Sequence, residues 1–430
     1  MLRWNGWGYT GTTMELSRQG KALLGELAGP PLRNPNYPLE QLVTRVPESR
    51  LAPHPLVTTD PRERIFHSHG QSFPDWVALR FGTLSAFPDG VARPNCAEDV
   101  VNLLAYARSQ NAVVIPFGGG TSVVGHLTPL SDGRPVLTIS LARLNRLVSL
   151  DPVSNLACFE AGVAGPDIES QLAAHGFTLG HYPQSFELST LGGWIVTRSS
   201  GQQSMYYGRM DHILAGAEVA TPRGLWTLPS FPGSAAGPDL RQVLLGSEGR
   251  LGIVTRATVR VTRTPAREEF SGAFFPAWKN GVDCAQAMAS ARLGLSMIRL
   301  SNPKETVTNM ALSGHDRQMS LLKHYLSVRG VPDREMCMLL FGITGDAASV
   351  ALSRQAAHSF IKAHGGVVVG KTMGATWAKK RFLVPYLRNT LWDIGYAVDT
   401  LETSITWDRV TALMGKVEAA ISSAAAEERE

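Results

Sequence analysis

A glycine loop that directly follows an apolar run constrains this chain more than any other stretch. Residues 112–127 read AVVIPFGGGTSVVGHL, so the run ends at Pro116 and three glycines follow. Glycine lacks Cβ and readily takes positive φ, so this loop can bring its N–H groups close to a guest. With the hydroxyls of Thr121 and Ser122, these donors suit a phosphate or pyrophosphate. The pattern is neither GxGxxG nor a P-loop, and a plain structural turn is the alternative interpretation.

Length and composition exclude several classes of function. The chain has 430 residues, 44% hydrophobic and 18% charged, so we expect two or three globular domains. A net charge of +5 is spread thinly and forms no Lys/Arg block of the kind that binds nucleic acid. The four cysteines form no CxxC, which predicts reduced thiols in a cytoplasmic protein and no metal site. No apolar run reaches the roughly 20 residues that span a bilayer.

Periodicity places the glycine loop in an α+β unit. Asn95 and Glu98 form an N-x-x-E pair that predicts a helix start, and the strand at Val113 follows that helix. We also predict a strand at Val136–Ser140 and, further along the chain, a hairpin and an alternating strand before residue 262. Residues 181–213 show little periodicity and many Ser, Thr and Gly residues. So long an irregular stretch inside a compact domain is often functional.

After Pro265 the composition shifts toward helix, which predicts a second domain. A strand at 338–343 precedes a helix at Ala347–Ala363, and residues 408–421 have the spacing of a final amphipathic helix.

Taken in order, these motifs resemble those of one flavoprotein family. They are RWNGWGY at 3–9, the glycine loop, QSFELSTLGGWIVTRSSG at 184–201, GSEGRLGIVT at 246–255 and ETSITWDR at 402–409. Together they resemble the alkyldihydroxyacetonephosphate synthases, within the vanillyl-alcohol-oxidase-like FAD flavoproteins. The resemblance implies an α+β fold with a two-subdomain FAD-binding domain and an α+β cap or substrate domain. We therefore predict an N-terminal arm and helical region at 1–87, an FAD-binding domain at 88–266 and a truncated cap domain at 267–430.

The resemblance also implies FAD as the cofactor and places it on four segments. The segments match the pyrophosphate loop, two stretches beside the flavin and its phosphates, and a later glycine loop. The implied cofactor-binding residues are Pro116, Phe117, Gly118, Gly119, Gly120, Thr121, Ser122, Pro183, Gln184, Ser185, Phe186, Glu187, Leu188, Ser189, Val196, Thr197, Arg198, Ser199, Glu248, Gly249, Arg250, Leu251, Gly252, Ile253 and Val254. We interpret His126, just after the first loop, as an ordinary residue.

The family reaction that this resemblance implies is an exchange on a lipid. A long-chain fatty alcohol replaces the acyl group of acyl-dihydroxyacetone phosphate, with no net oxidation or reduction of the flavin. Arg388, in PYLRNTLWD, matches the family's active-site arginine. A permanently charged fork of donors suits a phosphate, and a helix-surface salt bridge is the alternative. Lipid-like substrates follow, and peripheral membrane contact and a homodimer stay open.

The chain departs from the family near its C-terminal end. The family continues to a tyrosine on a later strand and then to a histidine cluster, whereas this sequence stops at Glu430 without them. We therefore expect the usual groups for general acid–base work to be missing. Two other interpretations stay open. One is an FAD-linked oxidase or dehydrogenase of a hydroxy acid or alcohol, and the other is a flavin-binding protein without activity.

Overall fold

A computed structural model describes residues 1–130, 132–312 and 316–427, and within them it contains fifteen strands and seventeen α-helices. Residues 313–315 and 428–430 of the predicted cap domain lie outside this description. The strands are β1 Val57–Thr58, β2 Gly90–Ala92, β3 Val113–Phe117, β4 Val136–Ser140, β5 Leu147–Asp151, β6 Leu156–Glu160, β7 Phe177–Thr178, β8 Leu214–Thr221, β9 Gly224–Leu228, β10 Ile253–Arg260, β11 Thr262–Arg263, β12 Arg267–Phe275, β13 Leu295–Ser301, β14 Cys337–Gly345 and β15 Val367–Gly370. The helices are α1 Arg18–Ala28, α2 Leu39–Val43, α3 Pro61–Phe66, α4 Phe73–Phe81, α5 Ala97–Ser109, α6 Gly165–Ala173, α7 Leu191–Val196, α8 Ser204–Tyr207, α9 Met210–Ile213, α10 Arg241–Leu244, α11 Trp278–Ser290, α12 Pro303–Leu312, α13 Asp316–Val328, α14 Ala347–Ala363, α15 Thr372–Lys380, α16 Leu387–Asp393 and α17 Val410–Glu427.

Two sheets build the part of the chain that contains the glycine loop. The first has the order β1-β2-β4-β3, in which β2, β4 and β3 are parallel and β1 is antiparallel. The second has the order β5-β6-β10-β8-β9 and is antiparallel throughout. Every residue of β4 is buried, as expected for a central parallel strand that is covered on both faces. The predicted α+β class is confirmed, and β3 follows α5 and leads into the glycine loop, as predicted.

The N-terminus of α5 differs from the prediction. Cys96 is the N-cap residue, and Asp99 rather than Glu98 is the third residue of the helix. The carboxylate of Asp99 accepts hydrogen bonds from the backbone N–H and the side-chain amide of Asn95. The capping pair therefore spans one residue more than predicted, because the helix begins at Ala97 and only its third residue can reach back.

The cap domain contains one antiparallel sheet with the order β13-β14-β12-β15. Its central strand β14 is buried along its whole length, because helices cover both faces of the sheet. One apolar cluster joins the sheet to α11 and α14, and another joins it to α12, α13 and α15. The boundaries at residues 88 and 267 stay predictions, although the change of sheet between β10 and β12 lies close to the second.

Residues 3–9 form an arm that packs against α16. The backbone N–H of Trp7 donates to Asn389 Oδ1, and Asn389 Nδ2 donates back to the Trp7 carbonyl, both at 2.9 Å. Gly8, at φ +71°, packs so closely on the ring of Tyr386 that a Cβ there would overlap it. Because Trp7 is only 6% exposed, this arm is part of the fold.

The final helix α17 begins at Val410, after a short 3-10 turn at Trp407–Arg409, and none of its described residues is buried. Its Glu418 contacts the domain by accepting a hydrogen bond from Asn302 Nδ2 at 2.8 Å and by an ion pair with Lys304 at 3.6 Å. Leu401, in the segment before it, is 79% exposed. Across the described ranges, we find no helix with the length and apolar character that a membrane crossing requires.

Candidate functional site

A cavity of about 390 Å³ lies where the predicted cofactor segments meet. Its volume is in the range that small-molecule and cofactor sites occupy. The predicted residues that line it come from all four segments. They are Pro116, Gly118, Gly119, Thr121, Ser122, Ser185, Ser189, Val196, Thr197, Ser199, Glu248 and Gly249.

The glycine loop approaches the second segment so closely that side chains are excluded. A Cβ on Gly119 would overlap the carbonyl oxygen of Leu188, and one on Gly118 would overlap the hydroxyl of Thr190. Of the three glycines, Gly120 alone has positive φ, at +65°. Within this run of three, the freedom of glycine to take positive φ is therefore used only at Gly120. Gly119 is required because its backbone passes the Leu188 carbonyl without room for a methyl group, and Gly118 because the Thr190 side chain occupies the space that a Cβ would fill.

The other predicted cofactor residues support the cavity walls without lining the cavity. Phe117, Phe186, Ile253 and Val254 are core residues, each no more than 8% exposed. The remaining ones outside the lining are Gly120, Pro183, Gln184, Glu187, Leu188, Arg198, Arg250, Leu251 and Gly252. Conversely, eight lining residues were not predicted: Ile115, Val123, Val124, His126, Leu127, Thr190, Gly193 and Trp194. Most of them adjoin a predicted segment, so wider segment bounds would have included them.

Two residues of the predicted segments hold strained backbone conformations. Arg198 has φ +54° and Glu248 has φ +52°, in the left-handed region that side chains with a Cβ rarely adopt. The N–H of Glu248 donates to the Val196 carbonyl at 2.8 Å, which ties these two cavity walls together. Such strain persists where the surrounding structure enforces it, and it clusters at ligand sites.

The hydroxyl groups on the cavity wall differ in whether their protons already make hydrogen bonds within the protein. Ser189 Oγ accepts from Trp194 Nε1 at 2.7 Å and donates to the Ser185 carbonyl at 2.9 Å. Thr197 Oγ1 donates to the Gly193 carbonyl at 2.8 Å, inside its own helical turn. The protons of these two hydroxyls are therefore already used in hydrogen bonds within the protein.

His181 is fully buried behind this wall. Its Nε2 lies 3.0 Å from Ser199 Oγ, and its ring packs on Trp194 with centroids 4.8 Å apart. Burial lowers the pKa of His181 to about 4. The imidazole is therefore neutral at physiological pH.

This lowered pKa predicts a pH dependence of stability. Between pH 6.5 and pH 4 the unfolded chain binds a proton at His181 that the folded chain does not bind, so the folded state loses stability as the pH falls. The difference in pKa corresponds to about 3 kcal/mol. We expect urea unfolding of the His181→Phe variant to show a smaller loss of stability over this range by about that amount. Parallel pH profiles for the two proteins would contradict it.

Arg388 lies on α16, outside the cavity lining, and is linked to the glycine loop through Gln71. Its guanidinium stacks over Trp76 at 4.4 Å, and its Nη1 donates to the Gln71 carbonyl at 2.5 Å. The N–H of Gln71 in turn donates to the Ser122 carbonyl at the cavity. Within the described residues, Arg388 Nη2 has no hydrogen-bond acceptor, and the nearest carboxylate oxygen, on Asp399, is 4.0 Å away. The helix-surface salt bridge is therefore weak, and donor capacity remains for a ligand.

A second contact joins this region to the cavity wall. The buried hydroxyl of Tyr386 donates to Glu187 Oε2 at 2.7 Å, and the N–H of Tyr9 donates to the same hydroxyl. Burial and the contact with Glu187 raise the pKa of Tyr386. Segment 183–189, the arm and α16 therefore form one connected unit.

The donor set of the cavity fits the pyrophosphate of FAD. The wall offers closely approaching loop backbone at Gly118 and Gly119, and hydroxyls at Thr121, Ser122 and Ser199. Backbone and hydroxyl donors of this kind bind phosphate oxygens without a full positive charge.

Comparisons with known proteins agree with this geometry. The family described as "FAD binding domain" matches residues 88–228, and the family described as "FAD linked oxidases, C-terminal domain" matches residues 264–427. The chain therefore contains an FAD-binding domain followed by a C-terminal domain of the FAD-linked oxidase type. FAD as the cofactor is thereby confirmed.

Among its relatives, this flavoprotein is 34% identical to the alkyldihydroxyacetonephosphate synthase of Dictyostelium discoideum over 82% of the chain, and it spans 59% of that enzyme. It is 29% identical to the synthase of Trypanosoma brucei brucei over 94% of the chain, spanning 72% of that protein. A solved structure of alkyldihydroxyacetonephosphate synthase superposes with a TM-score of 0.85 at 28% identity, covering 99% of this chain and 84% of that one. The predicted relationship to these synthases is confirmed.

Proposed function

We propose that this flavoprotein exchanges the acyl group of acyl-dihydroxyacetone phosphate for a fatty alcohol, which is a step of ether-lipid synthesis. The observation that carries this proposal is the extent of the structural likeness. It covers 99% of the chain, so it includes the cap domain and α16 as well as the FAD-binding domain. FAD-linked oxidases share the C-terminal domain as well, so the proposal rests on the likeness to the synthase over the whole chain and not on the cap alone.

Different residues of this chain would bind the cofactor and the substrate. Gly118, Gly119 and the hydroxyls of the cavity wall would hold FAD, which supplies an electron-accepting ring system when bound. Arg388 would bind the phosphate of the substrate through the donor capacity that the protein leaves unused. Its stacking on Trp76 limits rotation of the guanidinium plane, so the fork is preorganised for two oxygens of one phosphate.

Burial strengthens this role of Arg388. Removal from water lowers the pKa of Arg388, yet guanidinium groups stay charged in proteins. A charge that is largely withdrawn from water attracts an anionic substrate more strongly than an exposed one does. Arg388 Nη2 has no acceptor within the described residues, and a bound substrate phosphate would provide one.

Two assays together test the proposed reaction. Full-chain protein with FAD, incubated with acyl-dihydroxyacetone phosphate and labelled hexadecanol, should give labelled ether lipid and free fatty acid. The flavin absorbance should stay oxidised under anaerobic conditions during turnover, because the exchange involves no net electron transfer. Anaerobic bleaching by a hydroxy acid or an alcohol, without ether product, would instead indicate an oxidase or dehydrogenase. Absence of both signals would indicate a flavin-binding protein without this chemistry.

The substrates of this reaction have long alkyl chains, so the same proposal includes transient contact with a membrane surface. Flotation with phospholipid vesicles tests that part. We also propose that the protein forms a homodimer, which a native mass measurement tests.

A further inference from the structure

His181 and Ser199 are in contact, and the cofactor motifs do not specify which of their atoms donates the proton of this hydrogen bond. Ser199 lines the cavity, and His181 lies behind it with no exposure to solvent. Their contact, Nε2 to Oγ, measures 3.0 Å. Within the described residues, the other ring nitrogen, Nδ1, has no hydrogen-bond partner.

These contacts determine which nitrogen of His181 carries the proton. A neutral imidazole has one N–H donor and one acceptor nitrogen. A proton on Nδ1 would leave a buried N–H without an acceptor, which folded proteins avoid more strictly than an unused lone pair. The proton therefore belongs on Nε2, from which it is donated to Ser199 Oγ.

The direction of that hydrogen bond leaves the proton of Ser199 unused. Its oxygen accepts from His181, and the hydroxyl finds no acceptor within the part of the chain that the structure describes. Ser189 and Thr197 on the same wall differ, because both donate to backbone carbonyls. The N–H of His181 also polarises the hydroxyl it contacts, which makes Ser199 a stronger donor.

The cavity lining indicates which acceptor this donor meets. Among the lining residues in the described ranges there is no Lys or Arg, so backbone N–H groups and hydroxyls are the main donors that this cavity offers to the negative charge of a bound pyrophosphate. One wall supplies such donors from Gly118, Gly119, Thr121 and Ser122. Ser199 faces the same cavity from another wall. A hydroxyl with a free proton is suited to a phosphate oxygen.

We propose that His181 is a positioning residue that holds the Ser199 hydroxyl as a hydrogen-bond donor to a pyrophosphate oxygen of FAD. This inference rests on the cofactor and is independent of the proposed lipid exchange. It assigns a function to a buried histidine that lies outside every predicted cofactor segment.

Ligand titrations of the full chain test the donor. Ser199→Ala should weaken binding of FAD and of ADP by about 10-fold, the usual effect of losing a hydrogen bond to a charged group. Riboflavin, which lacks phosphate, should bind within about twofold of wild type, because only the pyrophosphate contact is lost. The control Ser359→Ala removes an exposed hydroxyl on α14 and should leave all three affinities unchanged. Unchanged FAD and ADP affinity in Ser199→Ala, or an equal loss for riboflavin, would overturn the proposal.

A double-mutant cycle tests the role of His181. His181→Phe should weaken FAD and ADP binding about as much as Ser199→Ala, and the double variant should be no worse than either single one. His181→Gln, whose amide can still donate to Ser199, should recover part of the affinity. Additive losses in the double variant would overturn the positioning role.

The tautomer can be measured without any variant. Nitrogen-15 NMR of the FAD-bound wild-type protein should show the His181 proton on Nε2. A proton on Nδ1 would contradict the proposed direction of donation, whatever the variants do.

Discussion

Gly119→Ala should abolish FAD binding. The new methyl group would overlap the backbone carbonyl of Leu188, which cannot turn away as a side chain could. The glycine loop and segment 185–190 would have to separate, and both form walls of the cavity. Overpacking of this kind costs about 1–3 kcal/mol of stability even where the neighbours are flexible side chains. We therefore expect purified Gly119→Ala protein to lack flavin absorbance, even after incubation with FAD.

The control for this variant is Gly25→Ala. Gly25 lies inside α1 with no atom within 4 Å of the new methyl group. Alanine should stabilise that helix by about 0.5–1 kcal/mol, and flavin content should match wild type. If Gly119→Ala bound FAD with native affinity, the close approach of the two segments would not be what shapes the cofactor site.

Arg388→Lys should retain FAD but lose transfer activity by about 10²–10³-fold, the usual effect of removing one preorganised donor from an active site. Lysine keeps the charge and loses both the bidentate fork and the planar stacking on Trp76. The Gln71 carbonyl, which accepts from Arg388 Nη1, would also lose a well-placed donor. The measurement is ether product per bound flavin, with flavin content determined on the same sample.

Arg354→Lys is the matched control, because Arg354 pairs with Glu269 at 2.8 Å on the cap domain. That variant should keep its activity, since lysine preserves an ion pair of this kind. Equal activity in Arg388→Lys would remove Arg388 from the active site. Loss of flavin in Arg388→Lys would make it a residue of the cofactor site instead.

The sequence permitted accurate predictions where local chemistry decides structure. The strand at Val136–Ser140 and the helix at Ala347–Ala363 were predicted with the bounds that the structure has. Both are set by apolar periodicity and by a local cap, which for the helix is Asp346 accepting from the N–H groups of Ala348 and Ser349. The meeting of the glycine loops at one cavity was also predictable, although only through the resemblance of several motifs taken in order.

Features that depend on how distant segments pass each other were not predictable. A run of glycines does not reveal whether it serves positive φ or close packing, and Gly118 and Gly119 depend on Leu188 and Thr190 some 70 residues away. Nothing in the sequence pairs His181 with Ser199, because the contact depends on the path of the irregular stretch between them. The link from Arg388 through Gln71 to Ser122 joins three distant parts of the chain and appears only in the folded structure.

The arm that packs on α16 has a consequence for biosynthesis. Trp7 is synthesised 382 positions before its partner Asn389. Until then the aromatic arm has no native surface to cover, and exposed apolar segments of this kind promote aggregation of nascent chains. A fusion or proteolytic cut before Tyr9 would first disturb the packing of the arm on α16, the helix that carries Arg388. Chaperone demand during translation should fall when Trp7 is replaced by a polar residue, even though the finished protein would be less stable.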